Sequence, residues 1–285
     1  MRQIAYGTAL RPMNTIDIFF DGTFTEPQLN HPECVAVDKD GYVWCGGERG
    51  EIFRIDQKGS SIECVASTNG FVLGLAFDEE ENLYVCDLKL KTVFRLDQKT
   101  RLLAEFADMS QTEHDIRIPN FPVVDDAHGY LYVTDSYDPN CAGPGIWRFD
   151  LHTGKGEMWY KLPLRFANGM AFSLKRDAFY VAETFAKRVV RIPVLTNGSP
   201  GQPQVVSELD AYPDGLAIGR DGRLFICCYE PSLIYQWSED EGLQLLCFDE
   251  TAHTLCHPTN CAFLGNDLLI ANLGRWHISR IKSID

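Results

Sequence analysis

The stretch Asn168-Gly169-Met170-Ala171-Phe172-Ser173 sets a pattern that recurs five more times along the chain. Each copy opens with one leading residue, continues through a short apolar run, and reaches an Asp, Ser or Gly five positions later. The leading residues are separated by 40, 47, 48, 46 and 46 residues, within the range of about 40 to 50 residues typical of four-stranded propeller blades. In chain order they are Glu33, Leu73, Asn120, Asn168, Asp214 and Asn260.

Further strands follow each leading stretch. In the third copy, Leu131-Tyr132-Val133-Thr134 leads through a turn into Gly145-Ile146-Trp147-Arg148-Phe149-Asp150, and such β-branched and aromatic runs are typical of strands. Turn dipeptides such as Asp40-Gly41 and Asp221-Gly222 separate the first strand of a unit from the second. An outer run such as Gln204-Val205-Val206 supplies a fourth strand. The sequence predicts an all-β fold, a six-bladed β-propeller with four antiparallel strands per blade.

The sixth copy ends after its third strand and lacks an outer one. The early segment from Thr15 to Phe20 has no other place in the pattern, so we expect this N-terminal strand to close the last blade. Since no linker or low-complexity stretch interrupts the repeats, residues 1–285 are predicted to form a single propeller domain.

The composition excludes several classes of protein. A net charge of −14 argues against binding to nucleic acid, which needs a basic surface. The chain has no run of eighteen apolar residues and no apolar leader at its start, so we expect no membrane association and a cytoplasmic location. The ten cysteines form no CxxC motif and are expected to be reduced. A monomer or weak homo-oligomer is expected.

The leading residues form the candidate site. In a propeller the innermost strands surround the central channel, so residues at one offset before each inner strand should meet at one mouth of it. Five of the six leading residues carry oxygen, two as carboxylates and three as amides. Such a set suits a hard divalent cation, because carboxylates gathered in a confined channel would otherwise repel one another. The alternative is that these residues cap strands and hold channel waters.

These motifs resemble those of the regucalcin/gluconolactonase family, also called senescence-marker-protein-like lactonases. The resemblance rests on Pro32-Glu33, Pro119-Asn120, Asn168-Gly169 and Pro213-Asp214-Gly215, and it extends over nearly the whole chain. It implies a six-bladed propeller with one divalent metal ion in the channel. By resemblance, the metal ligands are Glu33, Asn168 and Asp214, and Asn120 is a ligand or a substrate contact.

The implied activity is hydrolysis of a small lactone, such as a sugar lactone, by metal-activated water. Calcium is the first choice of cation, with zinc, manganese and magnesium as alternatives. Asp214 could act as the general base or only hold the metal. The alternatives are a metal-dependent esterase or phosphotriesterase-type hydrolase, and a calcium-binding propeller without catalysis. Strictosidine-synthase-like propellers, which work without metal, share a Glu but fit the Asn and Asp set less well.

Two positions depart from the family pattern. Sugar lactonases commonly carry an Arg two residues before the third-blade Asn, where this chain has Ile118 and places Arg117 one step earlier. The opening motif is Glu33-Cys34-Val35-Ala36 in place of Glu-Gly-Pro. Arg117 remains a candidate substrate contact, but both changes weaken the expectation of a sugar substrate.

Other residues are weaker candidates. Polar residues that end the second strands are expected to bind turn amides; they are Asp87, Asp135, Glu183 and Asn272. Of these, Asp135 is the one candidate for substrate binding, or for an alternative base at the channel mouth. We expect His253 and His257 to pack in loops. The aromatic residues that could wall a substrate pocket are Trp159, Tyr160 and Phe166.

Overall fold

The computed structural model of the protein describes residues 7–284, which form six four-stranded antiparallel sheets arranged as a six-bladed β-propeller. The predicted fold class is confirmed. The first strand of the chain, β1 (Ile16–Asp21), belongs to the last blade, and β2 onwards fill the blades in chain order. Within the described residues, helix is limited to two 3-10 turns, Met13–Thr15 and Thr184–Ala186.

The blades follow one another along the chain, each from its innermost strand outward. Blade one contains β2 (Val35–Val37), β3 (Val43–Gly46), β4 (Glu51–Ile55) and β5 (Ile62–Ser67). Blade two contains β6 (Val72–Phe77), β7 (Asn82–Asp87), β8 (Thr92–Asp97) and β9 (Leu102–Glu105). Blade three contains β10 (Pro119–Asp125), β11 (Tyr130–Asp135), β12 (Gly143–Asp150) and β13 (Gly156–Leu164).

The second half of the ring is built in the same way. Blade four contains β14 (Ala167–Phe172), β15 (Ala178–Glu183), β16 (Arg188–Pro193) and β17 (Gln204–Glu208). Blade five contains β18 (Tyr212–Ile218), β19 (Leu224–Glu230), β20 (Leu233–Ser238) and β21 (Gly242–Phe248). Blade six contains β22 (Pro258–Leu264), β23 (Asp267–Asn272) and β24 (His277–Ile281), with β1 outermost.

The ring is closed by β1, as the sequence predicts. It pairs antiparallel with β24, with Ile16 opposite Ile281 and Asp21 opposite His277. Asp17 adds a two-point ion pair with the Arg280 guanidinium, with both N–O distances at or below 3.0 Å. Because β1 comes from the start of the chain and β24 from its end, this pairing joins the two ends of the ring.

The core consists of six apolar clusters, one between each pair of neighbouring blades. The cluster between blades six and one, for example, packs Phe20 from β1 against Phe53 of blade one and Leu269 of blade six. Strand faces therefore bury their side chains against the next blade, and the inner strands are left to surround the channel. No helix among residues 7–284 has the length and apolar character needed to cross a lipid bilayer.

Candidate functional site

The leading residues differ from the predicted placement in one respect. Only Glu33 precedes its inner strand; the other five are the second or third residue of theirs. In blades two to five, the strand pairing skips the leading residue, which sits in a β-bulge. A bulge leaves a residue out of the regular alternation of the strand and redirects its side chain. The leading side chains of these blades can therefore turn toward the channel mouth.

Glycines after two leading residues allow the inner strands to approach closely. A Cβ atom on Gly169 would lie 2.4 Å from the backbone oxygen of Asp214, and one on Gly215 would lie 2.4 Å from that of Thr259. Both distances are too short for any other residue. The Asn-Gly and Asp-Gly pairs are thus needed for neighbouring blades to bring their leading residues together.

Four polar leading residues line one cavity of about 400 Å³. These are Glu33, Asn120, Asn168 and Asp214, and the apolar Leu73 of blade two joins them. Residues nearly two hundred positions apart in sequence therefore meet at one place. Asn260 is not part of the cavity lining; its Oδ1 atom accepts a hydrogen bond from the Val35 N–H at 3.1 Å and connects blade six to blade one.

Burial raises the pKa of both carboxylates of the cavity. Burial, followed by the nearby charge of Asp214, raises the pKa of Glu33 well above its usual range. Burial also raises the pKa of Asp214 to about 8, although a hydrogen bond from Asn168 acts in the opposite direction. The Oε2 atom of Glu33 is buried and has no hydrogen-bond partner among the described residues. A cation bound between two buried carboxylates would stabilise their ionised forms and offset the cost of burying their charges.

The two amides are held by the same arrangement. The Nδ2 atom of Asn120 donates to the Ser136 hydroxyl at 3.0 Å, and that hydroxyl donates to the backbone oxygen of Ala167 in the next blade. Nδ2 of Asn168 donates to the Thr184 hydroxyl at 3.2 Å, which donates in turn to Pro213 of the next blade. With the amide nitrogens engaged, the amide oxygens are the ends available to a ligand.

The oxygen ligands of the cavity fit a hard cation only if the two amides bind it together with the two carboxylates. Within residues 7–284, no three His, Cys, Asp or Glu side chains are grouped as a metal site. Two carboxylates alone are too few ligands for calcium, which takes six to eight oxygens, often including amide oxygens and waters. The oxygens of Asn168 and Asn120 would have to complete the set, and the cavity contains both.

Arg117 and Asp135 lie apart from this cavity. Both line a neighbouring pocket of about 490 Å³, where the Arg117 guanidinium stacks 4.1 Å from the centre of the Tyr137 ring. The Asp135 carboxylate accepts hydrogen bonds from the backbone N–H groups of Arg117, Ile118 and Tyr137. The structure therefore supports the predicted turn-binding role of Asp135 and does not bring either residue to the carboxylates.

The equivalent residues of other blades also bind turns. Asp87 accepts from the N–H groups of Phe71 and Leu90, Glu183 from that of Arg165, and Asn272 from that of Cys256. This confirms the prediction for these positions. The sequence pattern did not single out the residues that directly follow these turn-binding residues. Three of them line the cavity and one binds the Asn120 amide; they are Leu88, Thr184 and Leu273, and Ser136. Their constant place after the turn-binding residues is the signal that could have identified them.

The aromatic and histidine candidates have mixed outcomes. Phe166 lines the cavity, but Trp159 and Tyr160 are buried in the core between blades three and four, so they are not pocket walls. His257 packs in a loop, as predicted, and its ring stacks on that of Tyr229 at 4.5 Å. Tyr229 itself lines the cavity, and burial together with the charges of Glu33 and Asp214 raises its pKa.

Comparison with known proteins identifies the family. A model of the SMP-30/gluconolactonase/LRE-like region matches residues 63–271, well over half of the chain. The chain belongs to the SMP-30/gluconolactonase/LRE-like family. A model of the N-terminal part of strictosidine-synthase-like proteins also matches, over residues 23–55. Among curated proteins, none matches the sequence significantly.

Solved structures similar to this SMP-30/gluconolactonase/LRE-like protein share its fold at low identity. The gluconolactonase XC5397 from Xanthomonas campestris is 18% identical, with a TM-score of 0.76 over 93% of this chain and 88% of that one. A putative gluconolactonase is 15% identical, with a TM-score of 0.76 over 95% of this chain and 96% of that one. A luciferin-regenerating enzyme is 14% identical, with a TM-score of 0.72 over 93% of this chain and 94% of that one. The family match shows the family, and these neighbours show that the propeller fold is shared.

Proposed function

We propose that this protein is a divalent-metal-dependent hydrolase that opens a small lactone. The observation that carries the proposal is the pair of carboxylates, Glu33 and Asp214, buried together in one cavity with the Glu33 Oε2 atom unpartnered. Family membership supports the same activity. A purely structural pair of acids would be expected to have hydrogen-bond donors around both.

The residues divide into ligands and contacts. Glu33, Asn168 and Asp214 would hold one divalent cation, and Asn120 would be a further ligand or a contact to the substrate. When bound, the cation would polarise the lactone carbonyl and acidify a water molecule. Calcium suits the all-oxygen donor set best, and zinc, manganese and magnesium are the other cations to test.

The reaction adds water across the ester bond of the ring. The water oxygen bonds to the carbonyl carbon, the bond from that carbon to the ring oxygen breaks, and a hydroxy acid leaves. In this proposal the Asp214 carboxylate would take the proton of the attacking water and return it to the departing ring oxygen, if it acts as the base and not only as a ligand. Asp214 is 8% exposed and the Oε2 atom of Glu33 is buried, and burial strengthens electrostatic interactions at these groups.

Metal analysis of the purified protein, together with a panel of lactones and aryl esters, tests this function. We expect about one divalent ion per chain, lactone hydrolysis that EDTA abolishes, and recovery when calcium or another divalent cation is returned. Ester hydrolysis without lactone hydrolysis would indicate the esterase alternative. Tight metal uptake with no turnover of any compound would indicate a calcium-binding propeller, and no metal uptake would end the proposal.

The carboxylate pair also predicts how stability depends on pH. In EDTA, Asp214 should bind a proton up to a pH of about 8, whereas in the unfolded chain the same carboxyl has its ordinary pKa of 3.8 and releases the proton there. Between these values the folded state holds more protons, so raising the pH should lower the free energy of unfolding, by up to about 1.4 kcal/mol per pH unit.

The measurement is urea denaturation in EDTA from pH 5 to pH 8, and the quantity of interest is the difference between wild type and Asp214→Asn. The difference in the free energy of unfolding between the two proteins should change with pH. A divalent cation should stabilise the wild type most near pH 8. Asp17→Asn is the control, since Arg280 holds the pKa of that carboxyl at about 2, outside this range. A difference that is flat with pH would contradict the prediction.

A further inference from the structure

The walls of the cavity are hydrocarbon, apart from the groups assigned to the cation. The aliphatic residues Leu73, Leu88, Ile118 and Leu273 come from blades two, three and six. Among the described lining residues, Thr184 and Tyr229 are the ones with a side-chain hydroxyl. Since the Thr184 hydroxyl already donates to the backbone of Pro213, few polar groups remain for a substrate.

The aromatic side of the cavity is firmly built. Phe166 has a left-handed backbone with a φ of 63°, and its ring packs on that of Phe185 with 4.7 Å between centres. The Thr184 N–H donates to the backbone oxygen of Phe166 at 3.2 Å and fixes the spacing of the two segments. Phe185 is 41% exposed, so this apolar wall reaches solvent and forms an entrance of hydrocarbon.

The nearby basic side chains are not part of the cavity lining, and each has partners of its own, although Arg165 lies at the edge of the entrance. The Arg165 guanidinium donates to the backbone oxygen of Pro139 at 3.0 Å and lies over the outer ring Phe185. Arg117 stacks on Tyr137 in the neighbouring pocket. Among the lining residues within 7–284, Glu33 and Asp214 are the only charged ones, and both are assigned to the cation.

We propose that the substrate is a lactone whose ring carries a hydrocarbon substituent, alkyl or aryl, and not a polyhydroxylated sugar lactone. This rests on the proposed hydrolase function and specifies its substrate class. The carbonyl would face the two carboxylates and amides, while the substituent packs between the leucines and the phenylalanine pair. A sugar hydroxyl in the same place would lose its water without gaining a partner, which weakens binding by about tenfold or more.

A series of δ-lactones separates the two substrate classes. The series runs from the unsubstituted ring through alkyl chains of increasing length, with glucono-1,5-lactone as the polyhydroxylated member of the same ring size. The kcat/KM should rise about fourfold per added methylene until the cavity of about 400 Å³ is full. Glucono-1,5-lactone should be slower than the best alkyl lactone by at least about a hundredfold.

Two cavity variants and a matched control test the walls. Ile118→Arg puts a charge on the aliphatic side, and Phe185→Ala removes the exposed entrance ring without disturbing the core. Each should lower kcat/KM for the longest alkyl lactone, relative to the unsubstituted ring, by about tenfold. Leu174→Arg, at a side chain 60% exposed and outside the cavity lining, makes the same charge change and should leave this ratio unaltered.

Failure of the substrate class and failure of the hydrolase function give different results. Metal-dependent hydrolysis with glucono-1,5-lactone as the best substrate, or with no effect of chain length, would overturn the substrate class alone. If no lactone is hydrolysed, calorimetric binding of the same lactones to the wild-type protein still tests it. Tighter binding of alkyl lactones than of glucono-1,5-lactone, with a negative heat-capacity change, would support the apolar site, and equal or reversed affinities would overturn it.

Discussion

Replacing Asp214 by Asn, or Glu33 by Gln, should abolish tight binding of the divalent cation and lower kcat/KM by at least about a thousandfold. Each change removes one of the two negative charges of the cavity and leaves the shape of the side chain. Atomic absorption of the dialysed variants and the rate of lactone hydrolysis are the measurements. Asp240→Asn removes an exposed carboxylate and should keep wild-type metal content and rate.

The fold of both variants should be intact, because the side chains line a cavity and do not fill a core. In EDTA at neutral pH each variant should be at least as stable as the wild type, since burial disfavours the ionised form of both acids and each substitution removes one buried acid. Variants that retain full activity in EDTA would rule out the proposed site. Variants that fail to fold would show that the carboxylates have a structural role.

The same pair of variants separates the two roles of Asp214. If Asp214 is a base as well as a ligand, Asp214→Asn should stay inactive when the cation is raised to saturation, while Glu33→Gln should recover part of its rate. If Asp214 only holds the cation, the two variants should recover alike. Because the readout is kcat at saturating metal, weak metal binding alone does not affect the comparison.

Truncating Phe20 to Ala in β1 should lower the free energy of unfolding by about 3 to 5 kcal/mol, because a buried phenylalanine is lost from the cluster between blades six and one. Ile18 lies in the same strand but is 39% exposed, so Ile18→Ala should cost about 1 kcal/mol or less. Urea denaturation monitored by tryptophan fluorescence measures both.

Hydrogen exchange adds a local readout of ring closure. If β1 joins the two ends of the propeller, Phe20→Ala should speed the exchange of amides in β24, with which β1 pairs, more than those in blade three. Ile18→Ala should leave both rates close to wild type. Equal losses of stability in the two variants would mean that β1 is not held by its buried face.

The sequence determined the architecture because the repeat is local. A period of two within each strand, glycines at turns and a spacing near 46 residues can be read without tertiary contacts, and closure by the segment around Phe20 followed from the missing outer strand. The convergence of Glu33, Asn120, Asn168 and Asp214 also followed, since symmetry places equivalent positions around one axis.

Which of the equivalent positions share the cavity depends on contacts between blades that the repeat does not reveal. Asn260 carries the same amide as Asn168, yet it bonds to the Val35 backbone, while the Asn168 amide is turned inward by Thr184. Asp135 ends the second strand of its blade, and its carboxylate points to the backbone N–H groups of Arg117 and Ile118 because these donors lie in the segment before the inner strand. Symmetry fixes where a backbone position lies, but the direction of a side chain depends on the donors that the neighbouring blade supplies.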